Sequence, residues 1–307
     1  MTGKINRHIY LDSLIYRVSN KKSIYEKVIY KKYLFTKKKQ YISDFNPIII
    51  GGCPRSGTTL ARALIGVHPK IASPEKEYNA LIFITNDNIL QERLDISSKE
   101  ITNLKTNCKD HIFYAENILK YYMLKDKKEL IAIKHPFHIL ILDDLIHYFP
   151  KMKFIHIIRD GRDTACSLRT HPKRKIADGI IIPIDTNNPF DWCIRRWVTS
   201  INIGKKWRNN ANYTEIKYED LIYKTEETIK KIFDFIGINM VSKEKIYNFY
   251  KNQNDKNHLQ NIEVGEPIYK KTIGRWKKEM NEKETVLFKK MAGEHLIELN
   301  YERDYNW

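Results

Sequence analysis

The sequence predicts an α/β fold, a three-layer sandwich in which a mainly parallel central sheet is flanked by helices. Two observations support this prediction. Short apolar runs alternate with helical patterns along the chain, and polar clusters stand directly after those runs. At 307 residues and 42% hydrophobic content, the chain has enough apolar material for one large core, and a single elaborated domain is the simplest arrangement.

The first predicted strand covers residues 47–51, where a proline leads into three isoleucines and a glycine. A run that is apolar throughout is typical of a strand buried on both faces of a parallel sheet. A loop of glycine, proline and serine follows at once, and residues 59–65 then have the pattern of a helix. This segment is therefore a strand, a tight loop and a helix.

Three further strands are predicted, over residues 130–134, 153–158 and 213–218. The first runs into His135 and the second into Arg159, while the third precedes a helix over residues 225–236 that Gly237 ends as a C-cap. Ligands bind at the carboxyl ends of the strands in sheets of this kind. The polar residues after the strands are therefore expected to form one site.

The N-terminal residues 1–45 mix lysines and arginines with aromatic residues, which predicts a basic helical arm. We expect this arm to pack on the core, with a membrane surface as the alternative. It has neither the apolar run of a signal peptide nor the ~20-residue span of a transmembrane helix. We therefore expect no transmembrane segment, with peripheral membrane attachment and a homodimer left open. The widely scattered cysteines favour a cytoplasmic location.

The charge balance favours anionic ligands, because 54 Lys and Arg against 37 Asp and Glu give a net charge of +17. An AT-rich coding bias is the alternative source of that charge, since Lys, Ile, Asn and Tyr are all abundant. The cysteines are widely scattered, at Cys53, Cys108, Cys166 and Cys193. Without a CxxC pair or a histidine at ligand spacing, they predict neither a disulfide framework nor a metal site.

The loop at residues 52–59, Gly-Cys-Pro-Arg-Ser-Gly-Thr-Thr, has the outline of a Walker A phosphate loop, or P-loop. Backbone N–H groups of such a loop, together with the helix that follows, surround an anion. Thr58 stands where the Walker lysine is expected, and the cation is Arg55 instead. A loop that hydrolyses ATP needs that lysine and a metal ion, so this loop indicates another kind of transfer.

A second phosphate contact is predicted after the strand over residues 153–158. Arg159 stands at the tip of that strand, and Ser167 lies one or two turns into the next helix. The guanidinium offers a planar fork of donors and the hydroxyl a short rotatable one, so both can bind one phosphate. Arg162 is a weaker candidate for the same role.

In this order the motifs resemble those of the sulfotransferases that use 3′-phosphoadenosine 5′-phosphosulfate (PAPS), whose first motif reads Pro-(Arg/Lys)-Ser-Gly-Thr-Thr. The resemblance implies a P-loop-type sandwich, with residues 46–307 as the catalytic domain. It also implies that the 5′-phosphosulfate end binds at Arg55, Ser56, Gly57, Thr58 and Thr59. The resemblance further implies that Arg159 and Ser167 bind the 3′-phosphate, and that the product is 3′-phosphoadenosine 5′-phosphate (PAP).

Two downstream segments extend the resemblance, which runs from about residue 47 to residue 301. Tyr218 begins a Tyr-Glu-Asp-Leu segment, in which the family's tyrosine lies near the nucleotide. A Gly-Arg-Trp-Lys segment resembles the lid that closes over adenine and the 3′-phosphate, and it comprises Gly274, Arg275, Trp276 and Lys277. From the residues alone, the alternative for Tyr218 is a packed aromatic side chain with a satisfied hydroxyl. The alternative for the Gly-Arg-Trp-Lys segment is a basic surface turn.

Transfer to an acceptor hydroxyl needs a base for its proton and a cation near the leaving phosphate. The resemblance places the base in the Pro-Glu-Lys-Glu segment, where we prefer Glu75 and keep Glu77 as the alternative. It assigns the role of the cation to Lys134, in a Lys-x-Pro segment, and Arg55 is a further candidate catalytic residue. His135 ranks second as base, because the loop and the Pro-Glu segment look closer to the carbohydrate and tyrosyl-protein branches than to the cytosolic small-molecule branch.

The acceptor is expected to be a hydroxyl group on a glycan, a peptide tyrosine or a metabolite, and the sequence does not choose among them. The alternative enzyme is a P-loop nucleotide kinase or NTPase, which Thr58 argues against. The other alternative is a protein that binds nucleic acid or anionic membrane without catalysis. No aromatic-rich or recognition-helix pattern supports it, so we expect no nucleic-acid partner.

Overall fold

The computed structural model describes residues 41–75, 77, 91, 95–106, 108, 110–171, 173–177, 180–184, 187–246 and 272–307. Its strands are β1 (Ile48–Gly52), β2 (Ile71–Ala72), β3 (Leu130–Lys134), β4 (Lys153–Ile158), β5 (Lys173–Ala177), β6 (Ile180–Ile184) and β7 (Tyr213–Lys217). Five of them form the central sheet in the order β2, β3, β1, β4 and β7, and every neighbouring pair is parallel. Strands β5 and β6 form a separate antiparallel hairpin.

The strands are connected mainly by helices. The helices are α1 (Thr58–Ile65), α2 (Ser98–Lys105), α3 (His111–Lys125), α4 (Leu142–Tyr148), α5 (Gly161–Arg169), α6 (Phe190–Lys205), α7 (Tyr218–Tyr223), α8 (Thr225–Ile236), α9 (Trp276–Glu279) and α10 (Glu282–Glu298). A 3-10 helix covers Pro136–Ile141. In the part of the chain described above, no helix combines the length and the apolar character needed to cross a membrane.

Helices cover both faces of the sheet because the central strand is apolar on both. Along β1, Ile49 points to one face and packs with residues of α3 and the 3-10 helix. Ile48 and Ile50 point to the other face and pack with α1 and α8. A third apolar cluster joins α5, α6 and α10. The predicted three-layer α/β sandwich is confirmed.

Most predicted element bounds agree with the structure. The strands over 130–134 and 153–158 are confirmed, and β1 is shifted by one residue. The helix over 225–236 ends as predicted, with Gly237 in the left-handed region at φ 85°. The fourth predicted strand was one residue too long, because Tyr218 turns into α7 and its side chain is buried.

The predicted N-terminal arm lies almost wholly outside the described residues. Its last part, residues 41–45, is not helical. The Ser43 N–H donates a hydrogen bond of 2.8 Å to the Tyr148 carbonyl at the end of α4, and the Tyr41 N–H donates to the Asp110 carboxylate at 2.5 Å. This part of the chain therefore lies against the α3 and α4 side of the domain.

The strand order places the switch point of the sheet at β1. From β1 the chain builds β2 and β3 on one side, and then crosses to β4 and β7 on the other side. In open α/β sheets the ligand crevice lies outside the carboxyl ends of the strands at such a point. The loop that leaves β1 therefore stands in the middle of the expected site.

The core also contains a buried histidine whose protonation opposes folding. His156 on β4 is fully buried, with Nδ1 2.6 Å from the Tyr213 hydroxyl and Nε2 3.2 Å from Ser200 Oγ. Burial lowers the pKa of His156 to about 3, and the nearby Arg208 lowers it further. The histidine of the unfolded chain titrates near pH 6.5. The contribution of His156 to the free energy of unfolding is therefore fully present above that pH and is lost as the pH falls towards 3.

We expect His156 to account for about 2 kcal/mol of stability lost between about pH 7.5 and about pH 5, because only the unfolded state gains the proton. Urea unfolding of the wild type and of His156→Gln at both pH values measures this difference. The slope with pH should be shallower in the variant, whatever its absolute stability. The exposed His147 is the matched control, and equal slopes in wild type and His156→Gln would contradict the assignment.

Candidate active site

The loop between β1 and α1 is a tight, strained turn. Arg55 has φ 75°, a left-handed conformation that costs a residue with a Cβ about 1–2 kcal/mol. The Ser56 N–H donates a 3.1 Å hydrogen bond to the Cys53 carbonyl and closes the turn. Gly57 has φ 91°, and a Cβ there would lie 2.2 Å from the Tyr218 ring. The loop therefore depends on glycine at this point for both its conformation and its packing.

Two buried donors at the loop have no hydrogen-bond partner among the described residues. One is the hydroxyl of Ser56, a residue that is fully buried, and the other is Nε of Arg159, which is 5% exposed. Buried polar groups in folded proteins are nearly always hydrogen-bonded, so each exception needs an explanation. Anionic groups of a bound ligand would accept hydrogen bonds from these two donors.

The arginines of the predicted site lie close together. Arg55 Nε donates a 3.0 Å hydrogen bond to Ser167 Oγ, and Arg159 Nη1 donates a 3.3 Å bond to the Arg55 carbonyl. Burial lowers the pKa of the Arg55 guanidinium, and the positive charges of Arg159 and Arg275 lower it further. This concentration of positive charge favours a ligand with more than one negative group.

Tyr218 joins the loop, Arg159 and the lid segment. Its ring packs on Gly57, and the Arg159 guanidinium carbon lies 4.7 Å from the ring centroid in a cation–π contact. Its hydroxyl lies 3.1 Å from Thr272 Oγ1, and the Arg159 Nη2 donates to the Thr272 carbonyl. Tyr218 thus connects the phosphate loop to the lid segment, and its place near a nucleotide stays a prediction.

The predicted lid begins at Gly274, in the left-handed region at φ 75°, and continues into α9. Arg275 forms an ion pair of 2.7 Å with Glu279 and is close enough to Arg55 to affect its pKa. Lys277 is exposed, with its Nζ 5.9 Å from the Trp276 ring centroid. The lid segment therefore approaches the phosphate loop through Arg275.

Trp276 contacts other protein groups in the structure. The Arg162 guanidinium lies 3.9 Å from its ring centroid, and the Trp307 ring packs against it edge-on at 5.7 Å. Arg162 also forms ion pairs with Asp160, at 2.7 Å, and with Glu302. These contacts link Arg162 on α5 to the lid and to the C-terminal segment, and the phosphate contact considered for Arg162 from the sequence stays a prediction.

The second polar cluster contains Glu77, Lys134 and His135. Lys134 Nζ lies 2.8 Å from Glu77 Oε1, and the lysine side chain is 5% exposed. His135 Nε2 lies 3.4 Å from Glu77 Oε2, while His135 Nδ1 accepts a 3.2 Å hydrogen bond from the Phe137 N–H. An Nδ1 that accepts leaves the proton of the neutral ring on Nε2, so His135 donates towards Glu77.

Glu75, the preferred base from the sequence, has different surroundings. Its side chain is exposed, and its charge is felt by Arg62 on α1 and by Tyr122 on α3. The residue that lies beside Lys134 and His135 is the alternative, Glu77. The geometry therefore favours Glu77 for any role that needs a carboxylate next to these two groups.

The strand order arranges the whole site in a line. Across the sheet from β2 to β7, the residues at or after the carboxyl ends of the strands are in turn Glu77, Lys134, the loop with Arg55, Arg159 and Tyr218. Every strand of the central sheet thus contributes at its carboxyl end. The carboxylate–lysine pair lies on one side of the phosphate loop, and the Arg159–Tyr218 contact lies on the other.

The sequence reading missed two carboxylates that support the site. Asp163 on α5 accepts hydrogen bonds from two backbone N–H groups of the lid segment. Glu219 on α7 accepts from the Asp160 N–H at 3.0 Å and from the Tyr301 hydroxyl at 2.9 Å, and burial raises its pKa. Asp163 stands four residues after Arg159, the spacing of one helical turn, which is the only local signal for its role.

A parallel sheet with a glycine-containing loop at its switch point, beside a carboxylate–lysine pair, has the architecture of the P-loop class of proteins. The chain belongs to the sulfotransferase family, whose sequence profile matches residues 47–242. Protein-tyrosine sulfotransferase A of Caenorhabditis elegans is similar to it, at 29% identity over an alignment of 206 residues that covers 62% of this chain and 50% of the relative. The chain spans about half the length of the curated relatives it matches.

Solved structures share the fold. The sulfotransferase domain of the Synechococcus olefin synthase matches with a TM-score of 0.53 at 22% identity, covering 83% of this chain and 97% of that domain. A mouse sulfotransferase solved in complex with PAP matches with a TM-score of 0.52 at 16% identity, covering 88% of this chain and 91% of the mouse protein. At this level of identity the likeness establishes the fold alone.

Proposed function

We propose that this protein transfers the sulfuryl group of PAPS to an acceptor hydroxyl, with Glu77 as the general base. The observation that carries the proposal is that two clusters of side chains lie side by side at the carboxyl ends of the central strands. The cluster of Arg55, Arg159 and Arg275 lies around Ser56, and Ser56 Oγ and Arg159 Nε are buried donors without a partner in the part of the chain that the structure describes. The Glu77–Lys134 ion pair stands beside this cluster. The first cluster suits a donor with several anionic groups, and the second suits removal of a proton next to a cation.

The donor would bind along the line from the phosphate loop to Tyr218. Ser56 Oγ and the loop N–H groups would bind the 5′-phosphosulfate end, and Arg159 with Ser167 would bind the 3′-phosphate. The mouse sulfotransferase of the same fold was solved with PAP, which supports this choice of nucleotide. The loop lacks a Walker lysine, which disfavours ATP as the ligand.

The chemistry assigned to the chain's own residues is proton removal and charge compensation. Glu77 would take the acceptor proton as the acceptor oxygen forms its bond to sulfur and the bond from sulfur to the 5′-phosphate breaks. Lys134 would stabilise the negative charge that develops on the bridging oxygen. His135, which donates towards Glu77, would hold the carboxylate in place.

The acceptor we favour is the phenolic hydroxyl of a peptide tyrosine. The support comes from the curated relatives, which are named protein-tyrosine sulfotransferases, and from the net charge of +17, which suits an acidic peptide. A phenol also has an ordinary pKa near 10, far below that of an alcohol, so its proton is easier to remove. A glycan or a metabolite hydroxyl remains the alternative acceptor.

Transfer from labelled PAPS to a panel of acceptors tests the proposal. The panel contains an acidic peptide with one tyrosine, the same peptide with phenylalanine in its place, an acidic glycan and a simple phenol. We expect the tyrosine peptide to receive more label than any other acceptor in the panel. The rate of sulfuryl transfer should be unchanged by EDTA. Labelling of the glycan alone would replace the acceptor, and EDTA-sensitive ATP turnover without sulfuryl transfer would favour the kinase or NTPase alternative.

A further inference from the structure

A buried carboxylate on α5 holds the backbone of the lid segment. Asp163 is 1% exposed, and its Oδ2 accepts a 2.8 Å hydrogen bond from the Gly274 N–H. Its Oδ1 accepts a 3.0 Å bond from the Trp276 N–H, so both oxygens are used on a segment more than a hundred residues away in sequence. Carboxylates buried to this extent are costly unless they are paired, and here the pairing is with the lid.

The same carboxylate lies next to the proposed 3′-phosphate contact. Asp163 Oδ2 is 3.8 Å from Arg159 Nη2, and Arg159 itself donates to the Thr272 carbonyl at the start of the lid segment. The lid residue between the two bonded N–H groups is Arg275, whose charge lowers the pKa of Arg55. Fixing the backbone on both sides of Arg275 therefore fixes a third cation at the anion site.

Helix α9 has no side-chain cap of its own. Arg275 occupies its N-cap position and makes no side-chain capping bond. The N–H groups of Lys277 and Lys278 donate to the Gly274 and Arg275 carbonyls, at 3.2 and 3.0 Å, so it is the Trp276 N–H, the first of the helix, that depends on another acceptor. Asp163 supplies that acceptor from α5, as an Asp does when it caps its own helix. The start of α9 is thus fixed by a residue that lies 113 positions earlier in the sequence.

We propose that Asp163 is a positioning residue that holds residues 272–276 in place, so that Arg275 and Arg159 together face the 3′-phosphate of the donor. This inference rests on the proposed function for the identity of the ligand, but the contact itself does not. Asp163 touches no donor atom in this arrangement. It acts through the lid backbone and through the orientation of Arg159.

The sign of the effect on PAP affinity separates this role from a purely electrostatic one. If Asp163 acted only as a negative charge near the anion site, its neutralisation would tighten binding of PAP. If it positions the lid, Asp163→Asn should weaken binding about 10-fold, because an amide can accept from only one of the two N–H groups and opposes the other with its own N–H₂. The KM for PAPS should rise by a similar factor, and kcat should change less than about threefold.

Isothermal titration of PAP and hydrogen exchange of the free protein test the proposal together. In Asp163→Asn the amides of Gly274 and Trp276 should lose protection, while those of the central sheet keep theirs. Asp143→Asn, at an exposed carboxylate on α4, is the matched control and should change neither measurement. Tighter PAP binding, or unchanged protection of residues 274 and 276, would overturn the proposal.

The exchange measurement keeps this inference separate from the proposed function. If the wild type binds no PAP, the assignment of the donor fails, but local loss of protection in Asp163→Asn still establishes the contact with the lid. If PAP binds and protection is lost across the whole sheet, Asp163 is a general stability residue and the positioning role is wrong. Asp163→Glu, which retains two acceptor oxygens, should recover part of the affinity if the carboxylate acts through the lid.

Discussion

Glu77→Gln is expected to lower kcat for sulfuryl transfer by about 10³, near the middle of the range that general bases contribute. The amide has almost the shape of the carboxylate, but it cannot accept the acceptor's proton. It also removes the charge that pairs with Lys134 at 2.8 Å and receives the His135 donor. Steady-state kinetics with saturating PAPS and the tyrosine peptide measure this loss.

Binding should be spared, because Glu77 lies on the opposite side of the phosphate loop from Arg159 and Tyr218. We expect the PAP dissociation constant of Glu77→Gln to stay within about threefold of wild type, a difference of less than 1 kcal/mol. A variant that loses both turnover and PAP binding would place Glu77 in nucleotide binding or in folding instead.

The chain offers a matched control two residues away. Glu75 is exposed and lies on the same segment, so Glu75→Gln makes the same chemical change outside the Glu77–Lys134 pair. We expect it to retain most of its turnover. His135→Asn should cost only about tenfold, since the imidazole positions the carboxylate and takes no proton. If Glu75→Gln were inactive and Glu77→Gln active, or if His135→Asn showed the largest loss, the base would be reassigned.

The fold was predictable because its signals are local. The run of isoleucines at β1 and the alternation with helical segments follow from burial on both faces of a parallel sheet. The rule that ligands bind at the carboxyl ends of strands then placed Arg55, Lys134 and Arg159 at one edge. These positions depend only on where each strand ends, which the pattern of apolar residues shows directly.

The choice between two glutamates was not predictable from the same rules. Glu75 and Glu77 are separated by one lysine, and both follow β2, whose two residues are too few to show a period. Which carboxylate turns towards Lys134 depends on the backbone of that short segment. Asp163 was missed for another reason. Its partners lie 111 and 113 residues away, and they are backbone N–H groups, which nearly every residue type has and which therefore leave no signal in the sequence.

Arg159→Ala is expected to weaken binding of PAP about 100-fold, which corresponds to about 3 kcal/mol. A buried guanidinium that donates to a phosphate forms charge-assisted hydrogen bonds, each stronger than a neutral one. Arg159 is 5% exposed, is held by the Arg55 and Thr272 carbonyls and by the Tyr218 ring, and keeps Nε without a partner among the described residues. That free donor is the group we expect the 3′-phosphate to use.

The prediction is specific to one phosphate, so the decisive measurement compares two nucleotides. PAP carries both phosphates, whereas 5′-AMP lacks the 3′-phosphate and should lose less than about fivefold in affinity. Arg159→Lys keeps the charge but not the planar fork, and should fall between wild type and Arg159→Ala. Arg195→Ala, at an exposed arginine on α6 that pairs with Asp191, controls for the general loss of one positive charge. Equal weakening of PAP and 5′-AMP by Arg159→Ala would move the 3′-phosphate contact away from Arg159, and the next residue to test would then be Arg275, the lid cation whose charge reaches Arg55.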